Sequence, residues 1–190
     1  YIMKEWKTTK VLYGNWKAGW ALDQHMAQWP SRTNIAEMLY QLKYNKKDKN
    51  KIEPLAEEIC KFMKTRLVTK WLSTIIPVPP SDTEREFQPV IEIAKSIGEK
   101  LKIDVCNDCV LKTKKTSFMK NMTIEEREKI LNGIFEVKSN LIKNKKVLLF
   151  DDIFQTGSTL KEITKVLYSK GQVGNVYVLT VTKTTTKSNN

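Results

Sequence analysis

Two neighbouring carboxylates are followed within a few residues by a run of hydroxyl-bearing side chains. Asp151 and Asp152 come directly after the apolar run 147–150, and residues 156–159 read Thr-Gly-Ser-Thr. Hydroxyl groups, together with a glycine that lets the backbone approach closely, are suited to holding a phosphate. Carboxylates beside a phosphate would repel it, so we expect them to face sugar hydroxyls and a magnesium ion. The residues therefore predict a ligand with a monophosphate, vicinal hydroxyls and a metal.

A strand and a helix must position these groups. The uninterrupted apolar run 147–150, which follows Lys146, predicts a buried strand that ends in the two acids. Apolar residues at helical spacing predict a helix from Ser158 to Lys170. Ligands of open α/β sheets bind at the carboxyl ends of strands, and a helix N-terminus attracts phosphate. The alternative is that Ser158 and Thr159 only cap the helix and the acids only end a strand.

The segment 147–159 resembles a known signature, the 5-phosphoribosyl-1-pyrophosphate (PRPP) loop of type I phosphoribosyltransferases. That signature has four apolar residues, two acids, two apolar residues and a Thr-Gly loop. Gln155 is the one departure, since the family usually has a small or hydroxylated residue there.

Further segments resemble the ComF-like (competence protein F-like) branch of that family. Segments 76–80 and 85–88 are similar to its Pro-Val-Pro and Arg-Gly-Phe-Asn elements, with Glu86 in place of glycine. Segment 112–135 resembles the mobile loop and the Glu-Arg stretch of that branch. Residues 42–44 resemble its N-terminal Leu-Lys-Tyr element. The similarity covers about residues 34–182, whereas the cysteine-rich start common in that branch is replaced by Trp-rich sequence.

The resemblance implies an enzyme that binds Mg²⁺-PRPP. It would transfer the phosphoribosyl group to an unidentified nitrogenous base or amine and release pyrophosphate. Asp151 and Asp152 would hold the ribose hydroxyls, directly or through water on Mg²⁺, and Arg85 would stand near the pyrophosphate as a third catalytic residue. The 5′-phosphate would be held by Gln155, Thr156, Gly157, Ser158 and Thr159. The mobile loop would supply three lysines to the pyrophosphate, Lys112, Lys114 and Lys115. Lys43 is a weaker candidate.

Two other functions remain open. Gln155 and Glu86 would suit a PRPP- or nucleotide-binding regulatory protein without transfer activity. The net charge of +12 would suit a ComF-like DNA-uptake accessory protein that binds nucleic acid non-specifically. The same charge could also be a solvated lysine-rich surface.

The predicted fold class is α/β, a mostly parallel sheet flanked by helices as in type I phosphoribosyltransferases. Strands and helices alternate from about residue 72 onwards. We expect an N-terminal α+β hood (1–70), a phosphoribosyltransferase core (71–183) and a flexible tail (184–190). The first helix is predicted to begin at Asn34 as N-cap, and a second helix is predicted to end near residue 67.

The hood would cover the acceptor base. Trp16, Trp20, Trp29 and Tyr40 could stack on a flat ring, although most are expected in the core. His25, the only histidine, is expected to be structural.

The sequence also predicts the location, the oligomeric state and the state of the cysteines. Apolar runs are too short for a membrane span and no apolar leader opens the chain, so we expect a cytoplasmic protein. A homodimer is a further expectation. Cys106 and Cys109 have the C-x-x-C spacing, but they lack further ligands at metal-binding spacing, and we expect ordinary reduced cysteines.

Overall fold

Parallel strands and covering helices make up the fold. The computed structural model describes residues 8–28, 31–44, 48–81, 84, 86–116 and 122–185. The strands are β1 (Lys10–Val11), β2 (Ala18–Gln24), β3 (Met26–Gln28), β4 (Ser31–Arg32), β5 (Thr74–Pro77), β6 (Asp104–Val105), β7 (Val110–Lys112), β8 (Phe135–Val137), β9 (Lys146–Phe154) and β10 (Asn175–Lys183). The helices are α1 (Asn34–Lys43), α2 (Ile52–Lys64), α3 (Pro89–Leu101), α4 (Ile124–Leu131) and α5 (Ser158–Ser169).

The central sheet has six strands in the order β1-β2-β10-β9-β5-β6. All neighbours pair in parallel except β1 and β2, which are antiparallel. The predicted α/β class with a mostly parallel sheet is therefore confirmed. Because the strands are parallel, the carboxyl ends of β5, β9 and β10 lie at one edge of the sheet.

Both faces of the sheet are covered, which explains the uninterrupted apolar run of β9. Val147 and Leu149 pack into one core with residues of α5, while Leu148 and Phe150 pack into a second core with residues of α2 and α3. All four side chains are fully buried. Alternate residues of a strand point to opposite faces, so a strand covered on both sides needs apolar residues at every position.

The N-terminal region contributes to the same sheet. β2 pairs with β10 in parallel, from Ala18 opposite Tyr177 to Gln24 opposite Lys183. The boundary expected between residues 70 and 71 therefore does not separate two sheets, and the division into folding units stays a prediction. In the described part of the chain, no helix is both long and apolar enough to span a membrane.

Three local predictions need correction. The N-cap of α1 is Thr33 instead of Asn34, because the Thr33 hydroxyl accepts a hydrogen bond from the Ala36 amide at 3.1 Å. β9 does not end at the two acids but continues to Phe154, since pairing with β10 extends that far. α2 ends at Lys64, short of the predicted end near residue 67.

The cysteine prediction was also wrong. Cys106 and Cys109 form a disulfide, with their Cα atoms 5.5 Å apart. The turn between β6 and β7 brings the two residues into the range that a disulfide requires. Cys60 is free and buried, and burial raises the pKa of its thiol to about 11.

Candidate functional site

Asp151 and Asp152 lie within β9, near the carboxyl edge of the sheet. Both are partly buried, and the main-chain amide of Asp152 donates a hydrogen bond to Oδ1 of Asp151 at 2.8 Å. Burial, and then the neighbouring charge of Asp152, raise the pKa of Asp151 to about 8. The site therefore holds one carboxyl group that keeps its proton near neutral pH, beside a second that forms an ion pair.

The partner of Asp152 is Lys43, at the end of α1. Its ammonium group forms an ion pair with Oδ2 of Asp152, and the side chains are only 15% and 16% exposed. Burial alone would lower the pKa of Lys43, but the charge of Asp152 and their hydrogen bond raise it overall. Lys43 was only a weaker candidate for the site in the sequence. The one feature that pointed to it was the resemblance of residues 42–44 to the Leu-Lys-Tyr element.

We predict that this ion pair contributes strongly to stability. Lys43→Met should lower the free energy of unfolding by about 2–4 kcal/mol, because a partly buried carboxylate loses its partner. Adding Asp152→Asn should recover at least half of that loss, which a double-mutant cycle by urea unfolding would measure.

The matched control is the exposed pair of Lys95 and Glu92, whose side chains are 48% and 38% exposed. Its coupling energy should stay below about 1 kcal/mol. Equal coupling energies for the two pairs would contradict a structural role for Lys43.

A tight loop links β9 to α5. Gly157 is the N-cap of α5, with a positive φ of 78°, and no side chain caps the helix. The Thr156 hydroxyl lies 3.1 Å from the Ser158 hydroxyl, and it accepts a long hydrogen bond of 3.4 Å from the Ser158 amide. The alternative interpretation, in which Ser158 and Thr159 only cap the helix, is therefore wrong. The helix N-terminus offers N–H groups and positive dipole to a ligand.

Gly157 is predicted to be intolerant of alanine. An added Cβ would come within 2.8 Å of the Phe154 ring. The backbone at Gly157 is also in the left-handed region, which an alanine rarely adopts. Gly157→Ala should cost about 2–4 kcal/mol of stability, from the strained backbone and the ring contact together. Gly133 is the control, since its φ is 75° but no atom of the described residues lies within 4 Å of an added Cβ. Gly133→Ala should lower the free energy of unfolding by only about 1–2 kcal/mol, measured by denaturant unfolding. An equal loss of stability in the two variants would show that the Phe154 ring does not clash with the added Cβ.

Three cavities meet at Thr159, which lines all of them. The acidic cavity, about 320 Å³, contains Asp151, Asp152 and the loop after β5. The hydroxyl cavity, about 90 Å³, is formed by residues 154–160 with Asp151. The aromatic cavity, about 510 Å³, contains Tyr40 and Tyr44 of the N-terminal region. The acids and the hydroxyl loop thus line neighbouring cavities that share Asp151 and Thr159.

The predicted lysines differ in their placement. Lys112 lines the acidic cavity, donates a 2.7 Å hydrogen bond to the Thr116 hydroxyl and has its pKa lowered by burial. Lys115 instead forms an exposed 2.8 Å ion pair with Glu84. Lys114 is exposed and lines none of the three cavities. Arg85 lies outside the described residues.

Among the predicted stacking residues, Tyr40 lies at the site. Trp16 is buried and donates a 2.8 Å hydrogen bond to the Leu12 carbonyl, so it belongs to the core. Trp20 packs against Phe62 and Tyr177 on the sheet. Trp29 lies outside the described residues.

His25 and Arg127 also line cavities. His25 lines the aromatic cavity with Nδ1 at 3.2 Å from the Thr182 hydroxyl, and burial, then the charge of Arg32, lower its pKa. Arg127 of α4 lines both the hydroxyl and the aromatic cavity. Sequence reasoning gave Arg127 no role, although it is part of the segment that resembles the Glu-Arg stretch.

Comparison with known proteins gives one sequence relative. No protein-family model matches the chain. Over 102 residues it is 30% identical to competence protein F of Haemophilus influenzae, a match that covers 51% of this chain and 44% of that protein. The match thus spans less than half of the relative's length. This similarity confirms the resemblance to ComF-like proteins that the motifs predict.

Similar solved structures include three with low sequence identity. Adenine phosphoribosyltransferase from Leishmania tarentolae gives a TM-score of 0.49 at 9% identity, covering 80% of this chain and 88% of that one. A hypothetical protein from Neisseria gonorrhoeae with bound ppGpp gives a TM-score of 0.47 at 13% sequence identity. The match covers 75% of this chain and 72% of that one. A hypoxanthine phosphoribosyltransferase from Staphylococcus aureus gives a TM-score of 0.41 at 20% sequence identity. The match covers 67% of this chain and 62% of that one. All three TM-scores are low, and the fold class follows from the strand order of the central sheet.

Proposed function

We propose that the chain is a phosphoribosyltransferase that binds Mg²⁺-PRPP and transfers the phosphoribosyl group to a nitrogenous base or amine. The observation that carries the proposal is the meeting of the three cavities at Thr159. A loop of hydroxyl side chains, a pair of acidic side chains and an aromatic pocket adjoin one another there. These three features correspond, in that order, to the 5′-phosphate of PRPP, to its ribose with the pyrophosphate, and to the acceptor.

The 5′-phosphate is assigned to the hydroxyl cavity. The uncapped N-terminus of α5 supplies main-chain N–H groups, and Thr156, Ser158 and Thr159 add hydroxyl donors. Gly157 allows close approach because it has no side chain. Gln155 is exposed at the edge of this cavity and is assigned to the same phosphate.

The ribose hydroxyls and Mg²⁺ are assigned to Asp151 and Asp152. Mg²⁺ commonly binds one or two carboxylates and completes its coordination with water and substrate phosphates. The donor set fits this pattern, because two adjacent carboxyl groups line the acidic cavity of about 320 Å³. The raised pKa of Asp151 also fits, since an incoming cation would relieve the repulsion from Asp152. When bound, the ion would neutralise charge on the leaving pyrophosphate.

The transfer step places pyrophosphate in the acidic cavity. The acceptor nitrogen donates its lone pair to the ribose C1′, the bond from C1′ to oxygen breaks, and that electron pair leaves with pyrophosphate. Any proton on the nitrogen passes to solvent. Lys112 lines this cavity and is assigned to the pyrophosphate. Lys114, Lys115 and Arg85 are further proposed contacts.

Release of pyrophosphate tests the proposal. Purified protein with Mg²⁺ and PRPP would be screened against purines, pyrimidines and small amines. Release that depends on one acceptor and is lost in Asp151→Asn/Asp152→Asn supports a transferase. Binding of PRPP without release for any acceptor would favour a regulatory protein instead, a role that the exposed Gln155 in the loop also suits.

A further inference from the structure

Positive charge dominates the lining of the aromatic cavity. Arg32, Lys43 and Arg127 line it, and no aspartate or glutamate does so within the described residues. His25 also lines the cavity, and burial, and then the charges of Arg32 and Lys43, lower its pKa. Lys43 forms an ion pair with Asp152, which compensates its charge.

Arg32 is the arginine whose bonding is incomplete. Its guanidinium carbon lies 3.8 Å from the centre of the Tyr40 ring, a stacked arrangement. Nη1 makes a long contact of 3.5 Å with Oε2 of Glu37, whose side chain is 43% exposed. The Nε atom is buried and has no hydrogen-bond partner in the described structure. A buried N–H donor without an acceptor is unfavourable, which is a reason to expect a ligand atom there.

The shape of the cavity favours a flat ligand. Tyr40 and Tyr44 both line it, with ring centres 5.5 Å apart, and 63% of Tyr44 is exposed. Aromatic faces in a half-open cavity provide a surface on which a planar ring can stack. Thr159 joins this cavity to the hydroxyl and acidic cavities, so a ring bound here would adjoin the ribose position assigned above.

We propose that the acceptor is a planar nitrogen heterocycle that carries a carboxylate, with the carboxylate bound by Arg32. This inference rests on the proposed function and specifies its acceptor. A guanidinium group can donate two parallel hydrogen bonds to a carboxylate, and such charge-assisted bonds are strong. The buried Nε of Arg32 gains an acceptor, and the ring lies against the tyrosines. An uncharged ring of the same size can offer a carbonyl oxygen to that Nε, but it lacks the charge and the second parallel hydrogen bond of a carboxylate.

The test compares two pairs of ligands that differ mainly in a carboxylate. Orotate is compared with uracil, and nicotinate with nicotinamide, by calorimetric titration of the full chain with Mg²⁺ and with or without PRPP. Each carboxylate should bind at least about 10-fold more tightly than its uncharged counterpart, as expected for a hydrogen bond between charged groups. In Arg32→Gln this preference should disappear.

The control variant is Arg66→Gln. Arg66 also stacks on an aromatic ring, with its guanidinium carbon 4.9 Å from the centre of Phe62, but it does not line the aromatic cavity. This variant should keep the preference for carboxylates. Equal or tighter binding of the uncharged ligands, no binding of either carboxylate, or a preference that survives in Arg32→Gln would overturn the inference. Titrations without PRPP separate it from the proposed function, because failure of PRPP to bind would not alter the comparison of the ligand pairs.

Discussion

Asp151→Asn is expected to stabilise the unliganded protein at pH 8 while changing its stability little near pH 4. The pKa of Asp151 is raised to about 8 by burial and by the charge of Asp152, whereas an aspartate in an unfolded chain titrates near pH 4. Between these values the folded protein keeps a proton that the unfolded chain has lost. The free energy of unfolding should therefore fall by about 1.4 kcal/mol for each pH unit across this interval. Asparagine resembles the protonated carboxyl group but cannot lose the proton.

Urea unfolding from pH 4 to pH 8.5 would measure this effect. The stability difference between Asp151→Asn and the wild type should widen steadily up to pH 8 and then level off. Asp104→Asn provides the control, because Asp104 is exposed and its replacement should leave the pH dependence nearly unchanged. A difference that does not vary with pH would mean that Asp151 is ionised in the folded protein throughout this range.

The double variant Asp151→Asn/Asp152→Asn is expected to lose affinity for Mg²⁺-PRPP by about 100-fold or more. Each carboxylate is proposed to accept a hydrogen bond from a ribose hydroxyl or to bind the ion, and hydrogen bonds to charged groups contribute about 1.5–3 kcal/mol each. Two such losses correspond to at least about 100-fold in the dissociation constant. Calorimetric titration would measure the affinity, and thermal unfolding would confirm that the variant is folded.

Stability is measured beside affinity in this variant, because Asp152→Asn removes the ion-pair partner of Lys43. A double variant that is folded without ligand and fails to bind has lost contacts to the ligand itself. Asp104→Asn again serves as the control and should bind Mg²⁺-PRPP like the wild type. Affinity within a few-fold of wild type in the double variant would show that the two acids do not contact the ligand.

The junction of β9 and α5 could be predicted from sequence because its signals are local. An apolar run, two acids, a glycine and hydroxyl residues occupy consecutive positions, and each has a direct structural meaning. The acids were correctly placed next to the hydroxyl loop, although the strand itself runs on to Phe154 because pairing with β10 holds it.

Contacts between distant segments could not be predicted in this way. Lys43 and Asp152 are separated by 109 positions, and nothing local in either segment specifies the other. The same reason explains why β2 was assigned to a hood although it pairs with β10. The disulfide of Cys106 and Cys109 depends on the path of the turn, which the C-x-x-C spacing alone does not determine.

Thermal unfolding of the wild-type chain with PRPP and Mg²⁺ would show whether the protein binds this ligand. At a PRPP concentration about 100 times the dissociation constant, the ligand should add about 2.7 kcal/mol of stability. For a chain of this size the melting temperature should then rise by about 5–10 °C. The rise should increase with PRPP concentration and disappear in Asp151→Asn/Asp152→Asn. A melting temperature that does not change at any PRPP concentration would contradict the account.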